Sequence, residues 1–532
     1  MLTPTRPHGI TVPGTDGRVG DLLVRAARNQ GETPAVVDGD RVVTYDELHA
    51  RARSFAAGLR ARGFGPGDVA LLQLPNWWES VVAAWGTWLA GGVVLPVVPI
   101  YRRHELSFVV RQARPRIAVA PEDHRGHGHA ALLREVFADT RVPATVVGVR
   151  GPGGDPDSFE ALVASTPVVD EPMPGAGPDD VALVLYTSGT TADPKGVLHT
   201  HRTLLAELAA MVDHCALGAD DRVFMPSPLT HVTGISYGVL LPAALGTTSV
   251  LLDRWEPEVA AGVIERHGCR FTVSATPFLR GLTAAYDGRG SRSALRTFVC
   301  GGADIPPELV VEAQRVLGCG VLRTYGSSEL PTLAMVPRDR GAAVPDAEGP
   351  VMSGAEMILR ESDAGVPELL ARAPELFVGY LDPALNRAAF TDDGWFRTGD
   401  TAAIDRGVLR VVGRIKDIIN RGGEKYSAAE VEFALLDHPD VEEVAIVGFP
   451  DPDLGERACA FVVPRDGAAP DVTALREHLV THGFAVQKAP ERVVVIDALP
   501  RTASGKVQKF LLRGRIGVQP PPARRSESEG GA

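Results

Sequence analysis

The fold class this sequence predicts is α/β: a large N-terminal part built on parallel sheet flanked by helices, followed by a smaller α+β unit. Three observations carry it. Between residues 181 and 329 short β-branched runs alternate with helical patterns, and after Asp400 that pattern changes. A chain of 532 residues is also long enough for two or three domains and a large buried core.

Taken in order, residues 81–100 carry no charge over a length that would cross a membrane. Gly91-Gly92, Pro96 and Pro99 interrupt the run, so it reads as a buried helix to about residue 90 and a buried strand from Val93, not as an integral membrane span. The alternation then predicts a strand over 181–186 and a helix after His201, with Leu204, Leu205, Leu208, Met211 and Val212 at its apolar positions. A strand over 222–225, a helix over 235–245, a strand over 248–252 and a helix over 257–267 follow, the last with proline at the tolerated first position. Strands over 271–273, 295–300 and 321–324 and a helix over 306–317 complete it. Parallel sheets bind ligands at the carboxyl ends of their strands. The loop after Tyr186, Cys300-Gly301-Gly302 and Tyr325-Gly326-Ser327 all follow strands and are expected to converge on one cleft.

Beyond Asp400 the expectation is a short hairpin (408–412 with 414–419), a helix over 428–438, strands over 441–447 and 458–463, a helix over 472–482 and a last strand over 492–496. The domains are therefore placed at 1–412 and 413–516, with a disordered tail at 517–532, rich in Pro, Ser, Glu and Gly.

Composition narrows the function classes. A hydrophobic share of 45% and a charged share of 23% are those of a soluble globular protein. A net charge of −12 argues against nucleic acid or an anionic membrane as the main partner. Cys215, Cys269, Cys300, Cys319 and Cys459 are scattered without paired spacing, which suggests neither a disulfide framework nor zinc and fits a cytoplasmic location. The N-terminus has no apolar run of signal-peptide type. His124, His127 and His129, beside Glu122 and Asp123, match no zinc spacing and read as a polar surface loop.

Lysine marks the chemistry. Only six of 54 basic residues are lysine: Lys195, Lys416, Lys425, Lys488, Lys506 and Lys509. Coding bias would explain scarcity alone, but Lys195, Lys416, Lys425 and Lys506 fall in Gly-rich or turn-rich segments; Lys488 and Lys509 read as ordinary surface lysines. The first lies in Tyr186-Thr187-Ser188-Gly189-Thr190-Thr191-Ala192-Asp193-Pro194-Lys195-Gly196. Small and hydroxylated residues let N–H groups and hydroxyls close around phosphate oxygens, and one ammonium supplies a compact charge. The loop is not of Walker A type, which needs Gly-Lys-Ser/Thr opening a helix.

Four further motifs follow in fixed order: Tyr325-Gly326-Ser327-Ser328-Glu329, Gly394-Trp395-Phe396-Arg397-Thr398-Gly399-Asp400, Gly413-Arg414-Ile415-Lys416-Asp417 and Pro500-Arg501-Thr502-Ala503-Ser504-Gly505-Lys506. Together the five resemble the adenylate-forming superfamily of acyl-CoA ligases, amino-acid-adenylating domains and beetle luciferases, from about residue 35 to 515. The resemblance implies a small β-barrel-like subdomain in the N-terminal part, the use of ATP and Mg²⁺, and a thiol acceptor. Thr187, Ser188, Gly189, Thr190, Thr191 and Lys195 would hold the β- and γ-phosphates, with Thr190 also near the metal. Gly301, Gly302, Ala303, Thr324, Tyr325, Gly326 and Ser327 would line the adenine, and Ser328 and Glu329 would sit at the α-phosphate and Mg²⁺. Asp400 and Arg414 would contact the ribose, and Lys506 would reach the carboxylate and the bridging oxygen. Lys416 would be the hinge about which the small domain turns, presenting Gly422, Gly423 and Glu424 to the thiol, and His231 would swing between acyl pocket and thiol tunnel.

Around His231, Val232, Thr233, Ile235, Ser236 and Gly238 are neutral and mostly small, which argues for an apolar acyl group. Leu74-Pro75-Asn76-Trp77-Trp78-Glu79 and the run 102–108 look like medium-chain and alicyclic acyl-CoA ligases, which makes CoA the expected acceptor. Ile419-Asn420-Arg421-Gly422-Gly423-Glu424-Lys425 also looks like siderophore aryl-acid ligases, so a separate carrier protein is the alternative; those enzymes have asparagine where this chain has Val232. Ala192 replaces the usual Gly or Ser, and 426–430 lacks the proline common in CoA ligases, which weakens the acceptor assignment.

Overall fold

The computed structural model describes residues 16–152, 155–165, 176–187, 194–289, 291–302, 305–338, 345–363, 365–422, 424–467, 470–501 and 507–516. The chain forms two compact units. The first runs to Arg360 and adds Leu369–Thr398 and Ala403–Val411; the second comprises Glu361–Glu368, Gly399–Ala402 and the chain from Val412.

Two sheets organise the first unit. In the seven-stranded sheet the order is Gly379–Tyr380, Lys195–Thr200, Val181–Thr187, Val93–Pro96, Val69–Leu72, Ile117–Pro121, Thr145–Val149. From Val181–Thr187 outward its strands are parallel. The helix Trp78–Leu89 that feeds it is buried on every side, as is the following strand, because an apolar run covered by neighbours on all faces has no solvent side to mark with charge. The uncharged run 81–100 is thus helix plus strand, and among the described residues no helix is long and apolar enough to cross a membrane.

The eight-stranded sheet has the order Ala334–Met335, Gly320–Tyr325, Thr297–Cys300, Phe271–Ser274, Val223–Met225, Ser249–Leu251, Pro34–Asp38, Arg41–Thr44, parallel except at its two edges. The alternation read between 181 and 329 therefore splits over two sheets. Val181–Thr187 turns back as a hairpin, with Thr187 opposite Lys195, and only then does Thr200 cap the helix His201–Cys215 by accepting from the Thr203 N–H. The expected helix over 235–245 forms as a π-helical segment, Ile235–Leu240, and a short α-helix, Leu241–Leu245, ended by Gly246 at φ +67°.

A five-stranded sheet has the order Gly349–Pro350, Val408–Arg414, Phe396–Asp405, Pro367–Arg372, Glu356–Glu361. It corrects the hairpin expected over 408–419. Val408–Arg414 pairs backward with Phe396–Asp405 across Arg406-Gly407, both at positive φ, the geometry of the tight turns whose twist matches a hairpin. Ile418–Arg421 pairs instead with Glu424–Ser427.

In the second unit Gly455–Pro464 pairs antiparallel with Val441–Asp451 and parallel with Arg492–Val495. Its side chains alternate strictly. Val444, Ile446, Ala458, Ala460 and Val462 pack with the helices Ala428–Leu435 and Val472–Thr481; Ala445, Val447, Cys459 and Phe461 pack with Leu512 and Ile516 of Lys509–Ile516. Lys509 is not the surface lysine expected from sequence: its side chain is 15% exposed and lies 2.7 Å from Glu432.

Candidate active site

The ends of two adjacent parallel strands form one wall of the site. After Thr297–Cys300 the chain turns at Gly301, where a Cβ would lie 2.5 Å from the Thr324 side chain and 2.9 Å from its carbonyl; Gly302 follows at φ +79°. After Gly320–Tyr325 comes Gly326, where a Cβ would lie 1.9 Å from the Pro331 carbonyl oxygen. Glycine is required here because the loop folds back on itself. Ser327 closes that fold: its hydroxyl accepts from the N–H groups of Glu329 (3.2 Å) and Leu330 (3.3 Å), and its own N–H donates to the Leu330 carbonyl at 2.8 Å.

Glu329 is then held from the other sheet. The Phe377 N–H donates to its carbonyl oxygen and the Tyr380 hydroxyl to its Oε1, both at 2.8 Å. Burial and the Glu329 charge push the Tyr380 phenol far above its ordinary value, so it stays a donor. Lys195 lies over the same ring, its Nζ 5.2 Å from the centroid. His199, on the strand that begins with Lys195, holds the Ser328 carbonyl oxygen through Nε2 at 2.7 Å. The two sheets thus place Lys195 and Glu329 around Tyr380. Among the described residues Tyr380 engages one Glu329 oxygen and no hydrogen bond holds the other, a chemistry that would fit Mg²⁺ held by one carboxylate and substrate phosphates.

His231 precedes the short helix Val232–Gly234, whose first turn it starts: its carbonyl accepts from the Ile235 N–H at 3.0 Å. The loop leading to it is fixed by Asn76. The Asn76 amide donates to the carbonyls of Ser227 (2.9 Å) and Leu252 (3.1 Å) and accepts from the Leu229 N–H at 2.8 Å, so one buried side chain stitches three segments.

Within the second unit Asp400 is buried and pairs with Arg414, Nε to Oδ1 3.1 Å. Lys416 sits in a 3₁₀ turn, Ile415–Asp417, directly after the strand that ends at Arg414. Lys416 is exposed in that turn, and partial desolvation with Arg414 beside it lowers its ammonium to about 8. The Arg513 guanidinium donates to the Lys416 carbonyl at 3.2 Å and to the Asp417 carboxylate at 2.7 Å. Gly422, at φ +61°, donates its N–H to the Leu454 carbonyl at 2.7 Å, and Glu424 opens the returning strand. Ser188, Gly189, Thr190, Thr191, Ala303, Gly423 and Lys506 lie outside the described residues.

Comparison with known proteins matches residues 23–381 to the family described as AMP-binding enzyme and residues 430–506 to the AMP-binding enzyme C-terminal domain. The chain belongs to the AMP-binding enzyme family. It is 35% identical over 520 residues to the medium-chain fatty-acid–CoA ligase of Escherichia coli (strain K12), covering 94% of this chain and 91% of that protein. A salicylyl-CoA synthase / salicylate adenylyltransferase from a Streptomyces species is 35% identical over 519 residues, 93% of each chain. Among solved structures, ATP-bound MatB from Rhodopseudomonas palustris superposes with a TM-score of 0.83 at 28% identity, covering 94% of this chain and 99% of that one. This AMP-binding enzyme is an adenylate-forming acid–thiol ligase with the fold of that superfamily.

Some residues of this AMP-binding enzyme's site were not signalled in the sequence. Tyr380 belongs to a two-residue strand with no periodicity of its own, and His199 is a lone histidine in an apolar strand. One expectation needs correction. His129 is no surface residue: it is buried, and desolvation with Arg102 nearby lowers its imidazole to about 4. In the segment after His231, Tyr237 hydrogen-bonds a buried glutamate, Glu207. Neither residue falls in a motif.

Proposed function

We propose that the protein joins an apolar carboxylic acid, of medium-chain or alicyclic type, to the thiol of CoA in two steps at the expense of ATP. The single observation that carries this reading is the placing of Lys195 and Glu329 around Tyr380 in a chain of this family. In the first step a carboxylate oxygen attacks the α-phosphorus, the bond to the bridging oxygen breaks, and pyrophosphate leaves with both electrons. The acid is already ionised at neutral pH, so no general base is needed. Catalysis is charge neutralisation and positioning. Thr187, Ser188, Gly189, Thr190, Thr191 and Lys195 hold the β- and γ-phosphates; Gly301, Gly302, Ala303 and Tyr325 line the adenine; Asp400 and Arg414 hold the ribose; Lys506 meets the bridging oxygen. Glu329, with Thr190, would hold Mg²⁺, which supplies positive charge against the phosphates when bound.

In the second step the CoA sulfur attacks the acyl carbonyl and AMP leaves. Lys416 is the hinge that exchanges Lys506 for the Gly422-Gly423-Glu424 turn, and His231 opens the thiol path. The name of the Escherichia coli relative supports an apolar acid. That of the Streptomyces relative, which names salicylate and CoA, supports an aryl acid; the second reading, an aryl acid loaded onto a separate carrier protein, rests on the resemblance of residues 419–425 to siderophore aryl-acid ligases. A cytoplasmic location belongs to the same proposal, supported by five free, buried cysteines.

Acid-dependent pyrophosphate release, measured with straight-chain, alicyclic and aryl acids with CoA or a purified carrier protein, tests it. Fastest turnover is expected with an apolar aliphatic acid and CoA. Thioester on the carrier and none on CoA would establish the second reading, and no acid-dependent pyrophosphate would sink both.

A further inference from the structure

The backbone behind His231 leaves α geometry for the π-helical segment Ile235–Leu240, an irregularity that concentrates at functional positions. From it the buried Tyr237 reaches two other elements. Its hydroxyl donates to Glu207 Oε1, on the helix His201–Cys215, and lies 3.0 Å from the hydroxyl of Thr332, three residues beyond Glu329. Tyr237 is 3% exposed, Thr332 1% and Glu207 not at all. All three belong to the first unit.

The Glu329 loop is thereby mounted at three points. His199 holds Ser328, Phe377 and Tyr380 hold Glu329, and the Glu207–Tyr237 pair holds Thr332. The first and third points come from one continuous piece of chain, strand and helix, so the loop is braced along its length. We propose that Glu207 is a positioning residue, which through Tyr237 and Thr332 ties the loop bearing Glu329 to the segment that follows His231, resting on the assignment of Glu329 to the nucleotide and its cation.

The tie carries a charge that changes near neutral pH. The groups facing Glu207 are Tyr237 on the π-helical segment, Thr332 on the loop, Glu375 from the segment before Gly379–Tyr380, and Cys215 on its own helix; none is a cation. Burial pushes the Glu207 carboxyl up to about 7, against the hydrogen bond of Tyr237 and the nearby Thr332, and burial with the Glu207 charge raises Glu375. Below that pH Glu207 is neutral; above it, an anion held by the Tyr237 hydroxyl.

The experiment is acid-dependent exchange of pyrophosphate into ATP by the full-length enzyme from pH 6 to 9, with KM for magnesium-ATP and kcat determined separately. The wild-type KM is expected to change through an inflection near pH 7, as the buried carboxyl titrates. Glu207→Gln keeps the shape and removes the charge, so its KM should be flat across the range. Tyr237→Phe removes the bridging hydroxyl and should raise KM about three- to tenfold at every pH. Melting curves at pH 6 matching the wild type would show both variants folded, which Glu207→Ala, leaving the buried Tyr237 hydroxyl without this acceptor, would not guarantee. An inflection that survives in Glu207→Gln, or an unchanged KM in folded Tyr237→Phe, overturns the proposal. Glu329→Gln separates it from its premise: if that variant keeps the wild-type KM, the assignment of Glu329 fails, and this inference with it.

Discussion

Glu207 in the first unit and Glu432 in the second are stabilised in opposite ways, although the first unit also pairs its buried Glu79 with Arg150 and Glu348 with Arg323. The first unit has one lysine, Lys195, and surrounds Glu207 and Glu329 with hydroxyls from Tyr237, Thr332 and Tyr380. The second has five lysines and pairs its largely buried Glu432 with Lys509 at 2.7 Å, while Lys488 holds Glu430 at 2.8 Å. Burial raises the carboxyls of both Glu207 and Glu432, but only Glu432 has a cation to oppose the rise. A hydroxyl leaves a carboxylate free to take a proton or a metal; an ammonium neutralises it permanently. The first arrangement suits a site that must accept a charged ligand, the second a scaffold that must not change.

That contrast can be broken in four places. Lys506→Ala should have the largest effect, lowering adenylation about 10²- to 10³-fold, the usual cost of one charge-stabilising group, while thioesterification of pre-made acyl-adenylate is largely kept. Equal loss of both half-reactions, measured by pyrophosphate exchange and by CoA-dependent consumption of the adenylate, would count against separate conformations for the two steps. Lys509→Met should cost about 2–3 kcal/mol of stability in denaturant unfolding, somewhat under the value for a fully buried pair because both partners keep some exposure. Adding Glu432→Gln should recover part of it if the pair is a scaffold.

Tyr380→Phe comes next. It removes a hydrogen bond to a charged carboxylate, worth about 1.5–3 kcal/mol, and should appear as a rise in KM for magnesium-ATP with little change in melting temperature. The last effect, on the order of 2 kcal/mol between pH 5 and pH 8, is the pH dependence of stability at Glu207. Its folded-state pKa, about 7, lies above the unfolded value, so the stability it contributes at pH 5 is lost as pH rises toward 7. Glu207→Gln should therefore melt with the wild type at pH 5 and above it at pH 8. Parallel curves would mean that Glu207 is neutral throughout.

Much of this was legible in the primary structure because it is local. The helix 257–267 follows from its proline and period, and the five ordered motifs, with their spacing, led to the superfamily. Lys195, Glu329, Asp400, Arg414 and Lys416 all lie in those motifs. The hairpin around Val408 was misread because the Asp405-Arg406-Gly407 turn signal lies before the strand, not after it. Lys509 was misread because nothing near it in the chain marks Glu432, 77 residues away, as its partner.

What the sequence determined by itself, then, is the chemistry and the list of groups that carry it, since residue type and short spacing settle which atoms can bind phosphate, metal or ribose. What only the tertiary structure decided is how those groups are held. The split of the alternating pattern into two sheets, the grip of Tyr380 on Glu329 from 51 residues away, and the meeting of Glu207, Tyr237 and Thr332 all join segments far apart along the chain. Such pairings arise when buried polar groups must find partners inside a packed core, and local sequence carries no record of which partner will be there.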